Sequence, residues 1–156
     1  MPSITVREYN PESGALLGNI STLNFGRITA GTTSVVKVLD IAFTGLTQVG
    51  NIKLGLISSG GLTVNSNPTD ITADGSAGNG QFGIESSTSF DSAKASSALS
   101  RHFAGRNATS TASDDNNVSV SNRSTTISNY IYLDIQVDSS STSTTNGAYK
   151  VFFDYS

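Results

Sequence analysis

Between Ile127 and Val137 the side chains alternate without interruption. Ile127, Asn129, Ile131, Leu133, Ile135 and Val137 fall on one side, and Ser128, Tyr130, Tyr132, Asp134 and Gln136 on the other. Successive side chains of a strand leave opposite faces, so a period of two predicts a β-strand, one face against a core and the other wet or covered. Wherever this chain has a hydrophobic period, that period is two. The C-terminal segment repeats it, with Tyr149, Val151, Phe153 and Tyr155 opposed to Lys150 and Asp154. The Asn146-Gly147 pair after the polar run Ser139–Thr145 is turn chemistry, and it predicts that these two segments pair as a hairpin with a long tip.

Further strands are expected upstream. Ile4-Thr5-Val6-Arg7 is a short one, stopped by Asn10-Pro11-Glu12-Ser13-Gly14. Leu16 to Ile28 holds one or two more around Gly18 and Gly26. Val35, Leu39, Ile41 and Phe43 share a face of the next, and Ile52, Leu54 and Leu56 a face of the one after, with Gly45 and Gly50 supplying the turn between. Phe82-Gly83-Ile84 is a weaker strand. About seven to eight strands with turn signals at short intervals predict an all-β chain, an antiparallel sandwich of immunoglobulin-like or jelly-roll type. Its expected core is Leu39, Ile41, Ile52, Leu54, Ile131, Leu133, Ile135 and Phe153.

The 156 residues fit a single domain, 1–156. Within it, 59–126 reads as a polar, loop-rich excursion of Ser, Thr, Asn, Asp, Ala and Gly, whose composition alone resembles that of disordered chains. Its sparse apolar residues predict that neighbouring subunits hold it in place. A short helix is expected over Ser92–His102, with Asp91 as N-cap and Ala95, Ala98 and Leu99 on one side.

Composition narrows the function. Cysteine is absent, which excludes disulfides, Cys-based zinc sites and thiol catalysis. The net charge of -3 gives no footprint for nucleic acid, and no apolar run approaches the roughly 20 residues of a membrane helix. The N-terminus lacks the basic and apolar regions of a signal peptide, so assembly in a cytoplasm is expected and the four Asn-X-Ser/Thr sequons, at Asn19, Asn107, Asn117 and Asn122, read as by-products of composition. Only 13% of residues are charged, leaving a surface of neutral hydroxyls and amides that is cheaper to desolvate than one of ions.

No catalytic constellation stands out. His102 is the only histidine, and no Gly-X-Ser-X-Gly elbow accompanies it. Asp114-Asp115-Asn116-Asn117 has oxygen ligands but not the spaced acids of a calcium loop, and the glycines from Gly75 to Gly80 lack the lysine of a phosphate loop. An enzyme is therefore not expected, nor any metal or cofactor. Tyr130 and Tyr132 lie on the face opposite the aliphatic row. They are either a second buried face covered by the excursion, a contact patch or a sugar-stacking platform. Together with Phe90, Leu99, His102 and Phe103 they form the candidate interaction surface.

The stretch Leu23-Asn24-Phe25-Gly26-Arg27-Ile28-Thr29-Ala30-Gly31-Thr32-Thr33-Ser34, followed by Val35 to Gly45, resembles the opening of immunoglobulin-like domains that carry a Phe-Gly-X-Val-X-X-Gly motif, though Cys and Trp are missing. The whole Ser/Thr/Asn/Gly-rich, cysteine-free chain, ending in Phe152-Phe153-Asp154-Tyr155-Ser156, also resembles small virion proteins of tailed bacteriophages. That resemblance implies a capsid decoration (cement) protein, a homo-oligomer with the trimer favoured. Its partners would be the major capsid protein or other virion proteins, and its location the virion. A receptor- or glycan-binding module of a fibre, spike or neck is the alternative it implies.

Overall fold

The computed structural model describes residues 2–21, 32–59, 80–96, 99, 101–103, 118–137 and 146–155. Eleven strands run through them: β1 (Ser3–Tyr9), β2 (Leu16–Ile20), β3 (Lys37–Thr44), β4 (Val49–Ser59), β5 (Gly80–Ser87), β6 (Arg101–Phe103), β7 (Val118–Ser119), β8 (Asn122–Ser124), β9 (Ile127–Ser128), β10 (Tyr130–Val137) and β11 (Asn146–Tyr155). Among the described residues there is no helix and every pairing is antiparallel, so the chain is all-β.

The larger sheet runs β2-β1-β3-β10-β5-β6, with β9 beside β3 and β8 beside β9; the smaller runs β11-β4-β7. The first hairpin follows from its turn residues. Asn10 Oδ1 accepts the amides of Glu12 (2.8 Å) and Ser13 (3.2 Å), and the Gly14 amide donates to the Asn10 carbonyl. Gly14 has φ +75°, in the left-handed region, and a Cβ there would stand 2.8 Å from the Phe90 ring. Gly14→Ala therefore meets strain and a clash together. It is expected to lose about 1–2 kcal/mol from the backbone alone and more from displacing Phe90, read as a lower denaturation midpoint.

Strands β3 and β10 sit inside the sheet and carry apolar residues on both faces. One face bears an aliphatic core of Leu39, Ile41 and Phe43 from β3 and Ile131 and Leu133 from β10, joined by Ile84, Val120, and Val49 and Ile52 from β4. Thus β4 contributes to the core of the larger sheet while hydrogen-bonding in the smaller one. The other face bears Tyr9, Val36, Val38 and Tyr132 under Ala95 and Leu99, with Phe90 and Tyr130 at its margin. The turn between β8 and β9 ties the parts together. The Thr126 carbonyl accepts the Phe43 amide (2.9 Å), the Thr125 carbonyl accepts the Val49 amide (2.7 Å), and Asn122 Nδ2 donates to the Val49 carbonyl (3.0 Å).

Several expectations need correcting. The C-terminal segment does not pair with β10. Strand β11 pairs along β4 from Asn146↔Ser59 to Tyr155↔Val49, because both edges of β10 are taken by β3 and β5. The single strand over 127–137 is interrupted at Asn129. Ile127 pairs with Ala42 and Ile131 with Leu39, which leaves one extra residue on the later strand, a bulge. There Ser128 Oγ accepts the buried Ile41 amide (2.9 Å) in place of a ladder carbonyl, so the serine expected on the aromatic face is consumed by the backbone.

No helix spans 92–102. Asp91 does cap a turn, its Oδ1 accepting the Ala93 amide (2.9 Å), but 92–96 is turn only and Arg101–Phe103 pairs with Gln81–Gly83 as β6. Strand pairing satisfies those amides where a helix would have left the β5 edge open. Val35 precedes β3 and is exposed, while Leu39, Ile41 and Phe43 share the buried face as expected. Of the expected core, Leu39, Ile41, Ile52, Ile131 and Leu133 are buried; the side chains of 54, 135 and 153 lie outside the described part, as do 22–31, which hold most of the immunoglobulin-like stretch, and 114–117. Within the polar segment 59–126, β5 pairs over eight residues with β10 inside the sheet, and β6, β7 and β8 follow.

Candidate functional site

A carboxylate in a run of apolar residues must find partners, since an unpaired buried charge is too costly to keep. Asp40 lies between Leu39 and Ile41 on a strand buried on both faces, and its side chain is 0% exposed. Strand pairing sets Arg7 directly across from it. The guanidinium grips the carboxylate in two bonds, Nε to Oδ1 at 2.7 Å and Nη2 to Oδ2 at 2.6 Å. The Tyr9 hydroxyl donates to Oδ2 at 2.7 Å. From β8, Arg123 Nη2 donates to the same oxygen at 2.5 Å, and its Nη1 donates to the Ser128 carbonyl at 3.0 Å.

Aromatic rings wall this cluster. The Arg123 guanidinium lies 4.1 Å from the centre of the Tyr130 ring, at cation–π distance. Tyr130 meets Tyr9 edge-on at 5.1 Å between centroids and Phe90 at 6.2 Å. Two arginines, one aspartate and two tyrosines thus join β1, β3, β8 and β10 at one point on the aromatic face.

The electrostatics follow from this arrangement. The hydrogen bond to Asp40 raises the Arg7 pKa above its usual value. Burial works against the charge of Arg123, but the bonds to Asp40 and Tyr9 outweigh it and the result is again a rise. Tyr9 is pushed above 10.0 by burial first, then by its bond to Asp40, with Arg123 pulling the other way. The fold therefore favours the neutral phenol. This contribution to stability is fully present below the unfolded value, near pH 10, and is lost as pH rises through the raised folded value. Tyr9→Phe should remove this part of the alkaline loss of stability, which comparing denaturation midpoints of the two proteins across that range checks. An equally steep loss in both would contradict it.

The residues singled out from the sequence are placed differently from one another. Tyr132 and Leu99 are buried and have no surface to offer a partner. The Tyr132 hydroxyl is bonded to Ser87 Oγ and to the Asp91 amide, both at 2.7 Å, so the segment around Phe90–Leu99 covers it. Tyr130 and Phe90 are half-buried at the margin of the aromatic face. His102 and Phe103 are on β6, their side chains outside the described part. Arg7, Asp40 and Arg123 were missed. The available signal was the charge of Asp40 inside Val38-Leu39-Asp40-Ile41, where an acid among core residues demands a cation; nothing in the sequence points to Arg123, some eighty residues later.

A second feature is exposed. Among the described residues strand β2, Leu16-Leu17-Gly18-Asn19-Ile20, is the terminal strand of the larger sheet, and it carries neither charge nor proline. Its Leu16 and Leu17 are 54% and 60% exposed, and Val35, which leads into β3 at the same end of the sheet, is 67% exposed. No protein-family model matches the chain, and no curated protein sequence is similar to it.

Proposed function

We propose that the chain is a non-enzymatic structural protein of a virus particle, a decoration or cement protein of a phage head that binds its neighbours through strand edges and neutral surface. The observation that carries this reading is the β2 edge. Natural sheets protect such edges with lysines, prolines or cover, because unpaired backbone groups recruit other strands. Here an uncharged edge displays two leucines, with Val35 exposed at the same end of the sheet. A surface with few charges supports the same reading, as it loses little on desolvation. The mechanism is passive: each subunit buries apolar and hydroxyl-rich surface across a boundary and raises the force needed to separate the shell.

The test is the double variant Leu16→Lys/Leu17→Lys. Both side chains are exposed, so the melting temperature should stay near that of the parent, whereas retention on particles or in the oligomer should fall about tenfold or more, as the loss of a buried apolar contact of roughly 1.4 kcal/mol or greater implies. Undiminished retention would remove the edge as the contact and with it the main support for this role.

A further inference from the structure

The Arg7–Asp40–Arg123 cluster holds two positive charges against one negative charge. Among the residues whose side chains are described, the other acids are engaged elsewhere or stand apart: Glu8 is 3.5 Å from Lys37, Glu85 is 2.8 Å from Lys94, Asp91 caps its turn, Asp134 accepts the Gly83 amide, and Glu12 is exposed in the first hairpin turn. The surplus is therefore local, in a chain whose overall charge is -3. Each guanidinium has five N–H donors in a planar fork. Arg7 commits Nε and Nη2, and Arg123 commits Nη1 and Nη2, to bonds inside the protein. Both side chains remain partly exposed, 22% for Arg7 and 19% for Arg123. Their planes are held still, Arg7 by its two bonds to Asp40 and Arg123 by Asp40, Ser128 and the Tyr130 ring.

We propose that Arg7 and Arg123 form a binding site for a small oxyanion, a phosphate or carboxylate group carried by a ligand or a neighbouring molecule. Two guanidinia fixed around one carboxylate oxygen keep uncommitted N–H donors with their ordering entropy already lost, and arginine forks match oxyanions in two-bond geometry. The neighbouring rings lower the local dielectric and strengthen the attraction. Asp40 sets the affinity, because it neutralises half of the positive charge from within. This site is independent of the β2 edge.

The experiment titrates the isotope-labelled full chain with inorganic phosphate, and separately with acetate, at ionic strength held constant with chloride, following the arginine Nε–Hε resonances by NMR. Saturating shifts are expected at Arg7 and Arg123 and not at Arg27, Arg101 or Arg106. Asp40→Asn should bind phosphate about tenfold more tightly. Arg7→Gln, which leaves the Arg123–Asp40 pair balanced, should abolish saturation even if Asp40→Asn does not fold. Equal drift at all five arginines, or unchanged phosphate affinity in Arg7→Gln, would overturn the proposal. A response to acetate but not phosphate assigns the site to carboxylates, and the reverse to phosphates.

Discussion

Asp40→Ala is expected to destabilise the protein by about 3–5 kcal/mol, the usual loss when one partner of a buried charge cluster is removed. Asp40 is fully buried and accepts four hydrogen bonds from three side chains. Without it, Arg7 and Arg123 face each other as uncompensated like charges, and the Tyr9 hydroxyl loses its acceptor. Arg7→Met/Asp40→Leu/Arg123→Met, which removes every charge at once, should cost much less than Asp40→Ala, since apolar replacement of a whole cluster is often neutral. Urea denaturation of the two proteins decides the matter: a single variant no worse than the triple would show that the cluster does little for the fold.

Leu133→Ala is expected to cost about 2–5 kcal/mol, from lost burial and the cavity left in a core that relaxes only partly. Leu133 is 1% exposed and shares its cluster with Leu39, Ile41, Ile84 and Ile131. Leu17→Ala, on the exposed edge, should stay within about 0.5 kcal/mol of the parent. Denaturant midpoints for the pair test the register of β10, since a one-residue slip would carry Leu133 to the other face. A small loss for Leu133→Ala would contradict the pairing of Leu133 with Ile84.

The faces of β3 and β10 were legible in the sequence because period-two alternation directly reports which side chains share a face. Leu39, Ile41, Ile131 and Leu133 are core for that reason. Partner choice was not legible, since alternation says nothing about which edge a strand meets. Hence β11 was expected beside β10 and lies beside β4. The bulge at Asn129 was hidden for a related reason: Ser128 looks like any outward-facing serine until Ile41 supplies an amide with no ladder partner. The helix expected from Asp91 had a true cap and a false continuation, because a cap fixes only the first turn. At the arginine cluster the sequence held one warning, an acid among core residues, while its second cation came from a distant hairpin.

The strand order also has a consequence for synthesis. Strand β3 is complete at Thr44, yet the neighbours on one of its edges, β9 and β10, begin only at Ile127 and Tyr130. At ribosomal speeds of about 5–20 residues per second, that edge stays bare for on the order of ten seconds. Throughout that interval Val38, Leu39, Ile41 and Phe43 are presented by a strand with an open ladder, and Asp40 has Arg7 but not yet Arg123. The nascent chain is therefore most vulnerable to strand exchange with other nascent copies midway through translation. Holding chaperones would act there, and slowing the ribosome between the codons for Thr44 and Ile127 would lower the soluble yield without altering the finished protein.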